Sequence, residues 1–430
     1  MRTKALNLTS IPLIALVALC IVQSPTASAV PSYARQTGLA CAACHTVYPA
    51  LTRFGRMFKL NGYTMTNLKQ VEEIPTQTMP ALSLNQSFPL SVMLQADSTS
   101  TNQPQAGVEN PHVGFPDQLS LFLAGAITPH IGTFMQVTYT QADASFGLDL
   151  TDIRYANQAT VNNKDLIWGF TLNNAPSVED LWNSTPTWGF PFFSSETAAG
   201  PAAGPFIASD AIQTNSVGVG PYMMYDEHLY GSFSFYRTAP QGNDPGDMSA
   251  GTLQGADPYW RLAWNQDGAN YSWEIGTYGF DADYRPDVGS LSNKYTDVAA
   301  DGQFQYFMGS NIFELRGSYI HENQTLDADV ANGAASVRKN DLDFININGD
   351  WYYKRWVGLS FGYFRTSGGN DCLIYGSCSP DSNGEVFEVD YLPWENIKLM
   401  AQYTAYNKFD GISGNVSDFN TLILHLNLAF

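Results

Sequence analysis

The chain has 430 residues and a formal charge of −19, yet only 14% of its residues are charged and 44% are hydrophobic. Its 9 Trp, 23 Tyr and 25 Phe exclude a disordered acidic chain, which would be poor in aromatic residues. With 40 acidic against 21 basic residues, it lacks the basic surface that nucleic acid requires, so no nucleic-acid partner is expected. Abundant aromatic residues with few charges favour many strands joined by polar loops.

Residues 1–29 are predicted to be a secretory signal peptide. Two basic residues open it, an apolar run covers 11–22, and Ala-Ser-Ala at 27–29 supplies a cleavage site of small residues. The apolar run is shorter than the ~20 residues that a transmembrane helix needs. A lipoprotein signal at Cys20 is a weaker alternative. The mature protein is therefore expected outside the cytoplasm.

Charge is unevenly distributed after the predicted signal peptide. Residues 30–75 carry 5 basic and 2 acidic residues, a net charge of +3. Residues 76–430 carry 14 basic and 38 acidic residues, a net charge of −24. Such an asymmetry indicates two parts with different roles.

The strongest chemical motif is Cys41-Ala-Ala-Cys44-His45, the attachment signature of c-type haem. The two thiols bond to the haem vinyl groups, and the adjacent His is the proximal iron ligand. A redox-active Cys pair would be expected within a βαβ pattern, which is missing here. Zinc would need more ligands nearby, and residues 46–111 contain no Cys or His. The sequence thus predicts one covalent haem c, attached after export to the periplasm.

The predicted haem domain with its linker, residues 30–80, is small. The segment before the motif leaves no room for an N-terminal helix, and one helix is predicted over 46–60, ended by Asn61-Gly62. Some 45–50 residues are too few to bury a porphyrin unaided. Another part of the chain must cover it.

Residues 81–430 show the alternation of apolar and polar side chains that is typical of outer-membrane strands. For example, Trp260, Leu262 and Trp264 are predicted to face lipid. The phase slips within 341–351, which predicts a bulge or a misplaced boundary there. About 16 such segments predict an all-β outer-membrane barrel of about 16 antiparallel strands, preceded by a small α-helical haem c plug domain.

The final strand carries the clearest pattern. Leu422, Leu424, Leu426 and Leu428 alternate with inward residues and lead to a terminal Phe430. This ending is typical of outer-membrane barrels. A secreted β-sandwich would instead divide into domains of about 100 residues joined by linkers, and the sequence shows no such division.

Short turns alternate with long links, the rhythm of periplasmic turns and external loops. One link, 367–384, contains Cys372 and Cys378, which are predicted to form a disulfide outside the cytoplasm. Another, 175–211, is rich in Trp, Phe and Pro. It is expected either to fold inward as a plug or lid or to cover the mouth of the barrel.

Two sequence runs carry a resemblance to a known family. One is Tyr-Ala-Arg-Gln-Thr-Gly at 33–38 leading into Ala-Cys-Ala-Ala-Cys-His-Thr at 40–46, and the other is Phe-Gly-Arg at 54–56 with Phe-Lys-Leu-Asn-Gly-Tyr at 58–63. Together they resemble the fused cytochrome–porin family of outer-membrane iron oxidases, the Cyc2-like proteins. The match covers about 30 residues; the rest of the chain agrees in architecture alone.

The resemblance implies a single covalent haem c in a plug domain, held by Cys41 and Cys44 with His45 as proximal ligand. It also implies a barrel of about 16 strands in the outer membrane of a Gram-negative bacterium, with the haem domain at the periplasmic side or inside the barrel. The expected activity is oxidation of extracellular Fe(II), with electrons passed to a periplasmic cytochrome c or copper protein. The expected surroundings are outer-membrane lipid.

The sixth haem ligand is open. Methionine raises the haem potential relative to histidine, which suits acceptance of electrons from iron. Met93 is preferred because it faces the lumen on the first strand, with His425 or Met79 as alternatives. Met57 and Met65 also lie close after the motif.

Further expectations concern the charges and the rival functions. Acidic loops and lumen would concentrate cations. The acidic residues expected to do this are Glu179, Asp180, Asp244, Asp247, Asp281, Asp283, Asp287, Asp327 and Asp329. Arg53, Arg56 and Lys59 are expected to dock an acidic partner or to anchor haem propionates. The alternatives are a porin whose haem is structural or sensory, a lumenal enzyme such as a peroxidase, and a conduit for a donor other than iron.

Overall fold

The computed structural model describes the chain from residue 30 to 430 except residues 67, 69, 77–78, 196, 209–211, 213–215, 239–250 and 287–289. The predicted signal peptide lies outside these described residues. None of the described helices is long and apolar enough to cross a membrane.

The N-terminal part, which we call the plug (residues 30–66), is helical. Its helices are α1 (Pro31–Thr37), α2 (Cys41–Cys44) and α3 (Arg53–Leu60). A short antiparallel strand pair, β1 (Gln70–Glu73) and β2 (Leu82–Asn85), joins the plug to the barrel.

The remaining described chain forms a closed antiparallel barrel of 16 long strands, which confirms the predicted fold class. Each strand pairs with its neighbour in sequence, and the first and last strands pair to close the wall. The two-residue strand β10 pairs with the end of β12, and β9 pairs directly with β11. The strands are β3 (Leu90–Thr101), β4 (His112–Thr128), β5 (Ile131–Thr140), β6 (Ser145–Val161), β7 (Lys164–Asn173), β8 (Ser216–Tyr225), β9 (Leu229–Thr238), β10 (Thr252–Leu253), β11 (Asp257–Asp267), β12 (Tyr271–Arg285), β13 (Asn293–Met308), β14 (Asn311–Thr325), β15 (Lys339–Tyr353), β16 (Val357–Gly368), β17 (Ser382–Trp394), β18 (Ile397–Lys408) and β19 (Thr421–Ala429).

Apolar side chains alternate along each wall strand, as predicted. Leu262 and Trp264 are exposed on the outside of β11, whereas Ala263 between them and Arg261 before them are buried on the lumen side. On β19, Leu424 is exposed and Ile423 is buried. The outer surface is therefore the apolar belt that lipid requires, about 25 Å tall in barrels of this kind.

The predicted irregularity within 341–351 is wrong. Strand β15 pairs without a register shift with both β14 and β16. The apparent slip arises because Leu342 and Phe344 are apolar although they face the lumen, where each packs against a cluster that includes residues of the long loop after β7. The apolar pattern thus changes face while the strand stays regular.

The strand connections separate into two ends. Tight turns such as 129–130, 162–163, 309–310 and 395–396 lie at one end, where β3 begins and β19 ends. Longer loops lie at the other, among them 326–338, which contains α4 (Asp327–Asn332), and 369–381, where Cys372 and Cys378 form a disulfide. Short turns are periplasmic in outer-membrane barrels, so the plug side of this barrel is its periplasmic end.

The described residues of the link between β7 and β8, 174–195, 197–208 and 212, fold into the lumen; we call them the inner loop. Trp182, buried at its first bend, donates from Nε1 to Asn265 Oδ1 of β11 at 3.1 Å. Farther along, Asn346 Nδ2 of β15 donates to the Phe190 carbonyl at 2.6 Å. Of the two outcomes expected for this segment, the inward fold is confirmed.

The plug differs from the sequence prediction in its helices. A two-turn helix, α1, does precede the haem motif. The predicted helix 46–60 begins only at Arg53, because Thr52 caps it by accepting a hydrogen bond from Gly55 N at 3.1 Å. Its end before Asn61-Gly62 is as predicted.

The plug also completes the barrel wall. Strand β4 continues beyond the start of β3, which leaves backbone groups on its edge without a strand partner. Gln36 of the plug binds two of these backbone groups: its Nε2 donates to the Ala124 carbonyl at 2.8 Å, and its Oε1 accepts from Ala126 N at 3.3 Å. One side chain of the plug therefore satisfies a strand edge.

Candidate haem site at the periplasmic mouth

The residues of the C-x-x-C-H motif border a cavity between plug and barrel. It has about 220 Å³ open to the centres of water molecules, and its lining is mostly apolar. Plug residues Cys41, Cys44, His45, Tyr33 and Phe58 line one side. The barrel contributes Val92, Met93, Phe122, Phe134 and Leu392, and the inner loop contributes Val178, Asn183 and Trp188. The barrel and the inner loop thus supply the cover that the small plug lacks.

The orientation of His45 suits a metal ligand. Its Nδ1 lies 3.3 Å from the Ala50 carbonyl, so Nδ1–H donates there and Nε2 is left as the ligating nitrogen. Burial lowers the pKa of His45 to about 4, which keeps the imidazole neutral.

The two thiols have the surroundings of inert cysteines. They are not joined in a disulfide. Burial and the neighbouring Glu395 raise the pKa of Cys41 to about 12, and burial raises that of Cys44 to about 11. A redox-active Cys-x-x-Cys pair has a lowered pKa instead, so this environment does not favour a thioredoxin-like role.

A glycine allows α3 to pack on the haem motif. A Cβ at Gly55 would lie 2.1 Å from the Cys44 carbonyl oxygen, closer than any real contact. Thr52 adds a hydrogen bond from Oγ1 to the Ala43 carbonyl at 2.6 Å. The motif is thereby fixed against the start of α3.

Two periplasmic turns of the barrel hold the motif from the other side. Arg355, between β15 and β16, donates to the carbonyls of His45 at 2.7 Å and Ala42 at 3.3 Å. Glu395, between β17 and β18, accepts from Ala42 N at 3.2 Å. Sequence reasoning missed both residues, because contacts across more than 300 positions leave no local pattern.

The inner loop covers the cavity on its lumen side. Asn183 Nδ2 donates to the Pro49 carbonyl of the plug at 2.8 Å. Lys59 Nζ donates to the Asp180 carbonyl at 2.7 Å, and Asp180 in turn accepts from the backbone of Trp182, at 2.8 Å. Plug and inner loop therefore form one hydrogen-bonded unit.

Of the candidate sixth ligands, Met93 lines the same cavity as His45. It is buried, and Asn427 Nδ2 of β19 lies 3.3 Å from its Sδ. His425 does not line this cavity and instead packs its ring 3.7 Å from that of Phe193. Met79 is exposed and also lies outside the cavity.

Three basic plug residues bind the barrel and the inner loop. Arg56 is buried and pairs with Asp267 at 2.6 Å, with a further bond to Ser272 Oγ at 2.8 Å. Arg53 pairs with Glu227. Lys59 is bound to the inner loop, although it also reaches the cavity wall. Arg56 and Lys59 are thus buried against the barrel and the inner loop, whereas Arg53 remains half exposed, and docking of an acidic partner or anchoring of haem propionates by these residues stays a prediction.

The acidic residues of the lumen are bonded within the protein. Arg261 lies 3.3 Å from Asp180 and 2.7 Å from Asp301. Glu179 is fully buried and accepts from the Tyr236 hydroxyl at 2.8 Å. Asp244, Asp247 and Asp287 lie outside the described residues. Among the residues that are described, no three His, Cys, Asp or Glu side chains are grouped to hold a metal ion.

Comparison with known proteins identifies the fold alone. No protein-family model matches the chain, and no curated protein does. The outer-membrane channel DcaP of Acinetobacter baumannii is similar in structure, with a TM-score of 0.52 and 12% identity, covering 79% of this chain and 96% of DcaP. Salmonella typhi OmpF in complex with daunomycin gives a TM-score of 0.48 at 13% identity, covering 79% of this chain and 97% of OmpF. The protein therefore has the fold of a porin-like barrel of the outer-membrane type, and this fold supports a location in the outer membrane.

Proposed function

We propose that this barrel is an outer-membrane electron conduit built around one covalent haem c. The observation that supports it most is the single apolar cavity at the periplasmic mouth that Cys41, Cys44, His45 and Met93 share. Two thiols for the vinyl groups, a neutral imidazole and a thioether are the donor set that a haem c with Met/His ligation requires. Haem c, when bound, supplies a one-electron redox centre.

The chain's own residues would hold and shield that group. Cys41 and Cys44 would bond it, and His45 would ligate the iron with its ring held by Ala50. Arg355 and Glu395 fix the motif against the barrel. Trp188 and Asn183 separate the cavity from the water of the lumen. Rigid surroundings of this kind keep the reorganisation energy of electron transfer small.

The proposed donor is extracellular Fe(II), and this choice rests on the resemblance of the motif region. The acceptor would be a periplasmic cytochrome c or copper protein, because the cavity lies at the short-turn end. The inner loop lies between the cavity and the outside, so Fe(II) would deliver its electron from the extracellular side of that loop. The ferric product would then stay outside.

The test is rapid mixing of the purified holoprotein with Fe(II), followed by haem absorbance. Reduction within the mixing experiment supports the proposal, and its absence would overturn the choice of iron. A parallel run with reduced sulfur compounds separates a conduit for another donor from an iron oxidase. Fast binding of CO to the reduced protein would instead indicate an open iron position, as a peroxidase-like enzyme needs.

The ligand assignment has its own test. In Met93→Ala, we expect covalent haem to remain while the absorption and magnetic spectra lose the features of sulfur ligation. Met79→Ala is the matched control, since Met79 is exposed and outside the cavity. Native spectra in Met93→Ala would exclude Met93.

A channel in which haem is structural or sensory is the second candidate, and the fold shared with the channel DcaP favours it. The inner loop opposes it, because its contacts with β11 and β15 cross the lumen. Conductance in a planar bilayer discriminates the two. Porin-like steps in the wild type favour the channel, whereas steps seen only after deletion of residues 186–205 favour the conduit.

A further inference from the structure

The strand pair β1–β2 has one largely apolar face that stays about half exposed among the described residues. Its register places Val71 opposite Leu84 and Glu73 opposite Leu82, so these four side chains share one face. Val71, Leu82 and Leu84 are 38–53% exposed, and Ile74 at the end of β1 is 86% exposed. An apolar surface of this kind is unfavourable in water and marks a contact with a partner or a membrane.

The opposite face is polar and is bound to the protein. Ser83 Oγ donates to Gln70 Oε1 at 2.8 Å, and Gln70 Nε2 donates to Asn85 Oδ1 at 3.3 Å. Asn85 Nδ2 then donates to the Ala126 carbonyl of β4 at 2.8 Å. The polar face is thus turned toward the barrel wall, and the apolar face is turned away from it.

The apolar face continues a surface that already contacts lipid. Phe88, 73% exposed, lies two residues before Leu90 in the outward-facing phase of β3. Leu123 and Ile127 are exposed on the periplasmic half of β4, the strand to which the pair is bound. Apolar side chains therefore extend from the barrel belt onto the strand pair at the periplasmic rim.

We propose that β1–β2 lies in the inner leaflet of the outer membrane, with Val71, Leu82, Leu84 and Phe88 among the phospholipid chains near the headgroup boundary. The polar face and its bond to Ala126 orient it, as the polar side of an interfacial amphipathic element does. The strand pair is then a membrane contact of the linker between plug and barrel. This inference does not depend on the haem or on the electron donor.

The test uses a photoreactive benzophenone amino acid placed at single positions of the full chain in intact cells. Leu84 tests the apolar face, Ser83 is the matched control on the polar face, and Leu262 on the barrel belt is the positive control. After irradiation, adducts are identified by mass spectrometry. We expect phospholipid adducts at Leu84 comparable with those at Leu262 and about tenfold above those at Ser83, because only the Leu84 and Leu262 side chains are expected to face the apolar phase.

Two outcomes would overturn the inference. One is the absence of a lipid adduct at position 84 while position 262 gives one; the other is a protein adduct at 84, which indicates a periplasmic partner. Heat-dependent migration on a gel verifies that each variant is folded. If the Leu84 variant does not fold, Ile74 provides the same test from the end of β1.

Discussion

The plug and the barrel differ in charge and in how they use buried charges. The plug is the basic part of the chain, and the barrel is strongly acidic. In the plug, Arg56 is buried against Asp267 of the wall, whereas the neighbouring Arg53 is exposed beside Glu227. The asymmetry in the sequence thus has a structural role, since a basic side chain of the plug pairs with an acidic side chain of the wall. A basic domain enters an acidic lumen, and its charges are neutralised there.

The largest expected effect is the loss of haem from the plug while the barrel still folds. In the double variant Cys41→Ala, Cys44→Ala, we expect loss of all covalent haem, because no other described cysteine lies in the cavity. The barrel should still fold, since its pairing does not involve the motif. Haem staining after denaturing electrophoresis measures the loss. Cys372→Ala, Cys378→Ala is the control and should retain haem.

The next effect tests the docking of the plug. Arg56→Met leaves Asp267 buried without its main partner, which costs about 3–5 kcal/mol in the free energy of unfolding. Arg53→Met breaks the exposed pair with Glu227 and a longer contact of 3.7 Å to Asp267, and it should cost only about 1 kcal/mol, because Arg53 itself is exposed to solvent. Denaturant titration in detergent micelles measures both. Equal effects would contradict the contrast between buried and exposed pairs.

A smaller effect concerns the contact between α3 and the haem motif. Gly55→Ala places a methyl group against the Cys44 carbonyl and should destabilise the plug by about 1–3 kcal/mol. Gly38→Ala is a control for the absence of crowding, although its positive φ adds backbone strain. Limited proteolysis of the plug, with the barrel as internal reference, measures the change. If the plug of Gly55→Ala resists the protease as well as the wild-type plug does, α3 can move away from the motif without cost, which contradicts the prediction.

The last effect, which is measured as a slope and not as a difference at one pH, is a dependence on pH. Burial lowers the pKa of Lys59 to about 7 from its usual 10.5, so between these values the unfolded chain binds more protons than the folded one. Stability should therefore rise with pH across this window, by up to about 1.4 kcal/mol per pH unit from this group. Lys59→Met should remove that slope. The slope of wild type minus variant, from unfolding curves at several pH values, is the measurement.

The sequence predicts features that repeat or that are contiguous. The barrel follows from period-2 alternation, and the haem motif from five adjacent residues. The long-range features could not be predicted from it. Leu342 and Phe344 break the apolar pattern only because the inner loop folds against their lumen side, and Arg355 reaches His45 across 310 positions.

Local signals also failed where two of them competed. Apolar spacing favoured a helix over 46–60, but the cap at Thr52 delays its start to Arg53. The burial of Arg56 and Lys59 against the barrel and the inner loop could not be predicted either, because a charge pattern does not reveal which surface a helix meets. The lumen-facing phase of Met93 was accessible from the sequence, but the cavity that it shares with His45 depends on the position of the plug against the barrel.

The hydrogen bonds of Gln36 to β4 have a consequence for assembly. A plug that only filled the lumen could leave it and return without harm to the wall. Here its withdrawal would expose a strand edge at the periplasmic rim, the kind of edge to which a second chain can add. We therefore expect the protein to be inserted into the membrane with its N-terminal domain in place. A chain that lacks residues 30–36 would be prone to self-association.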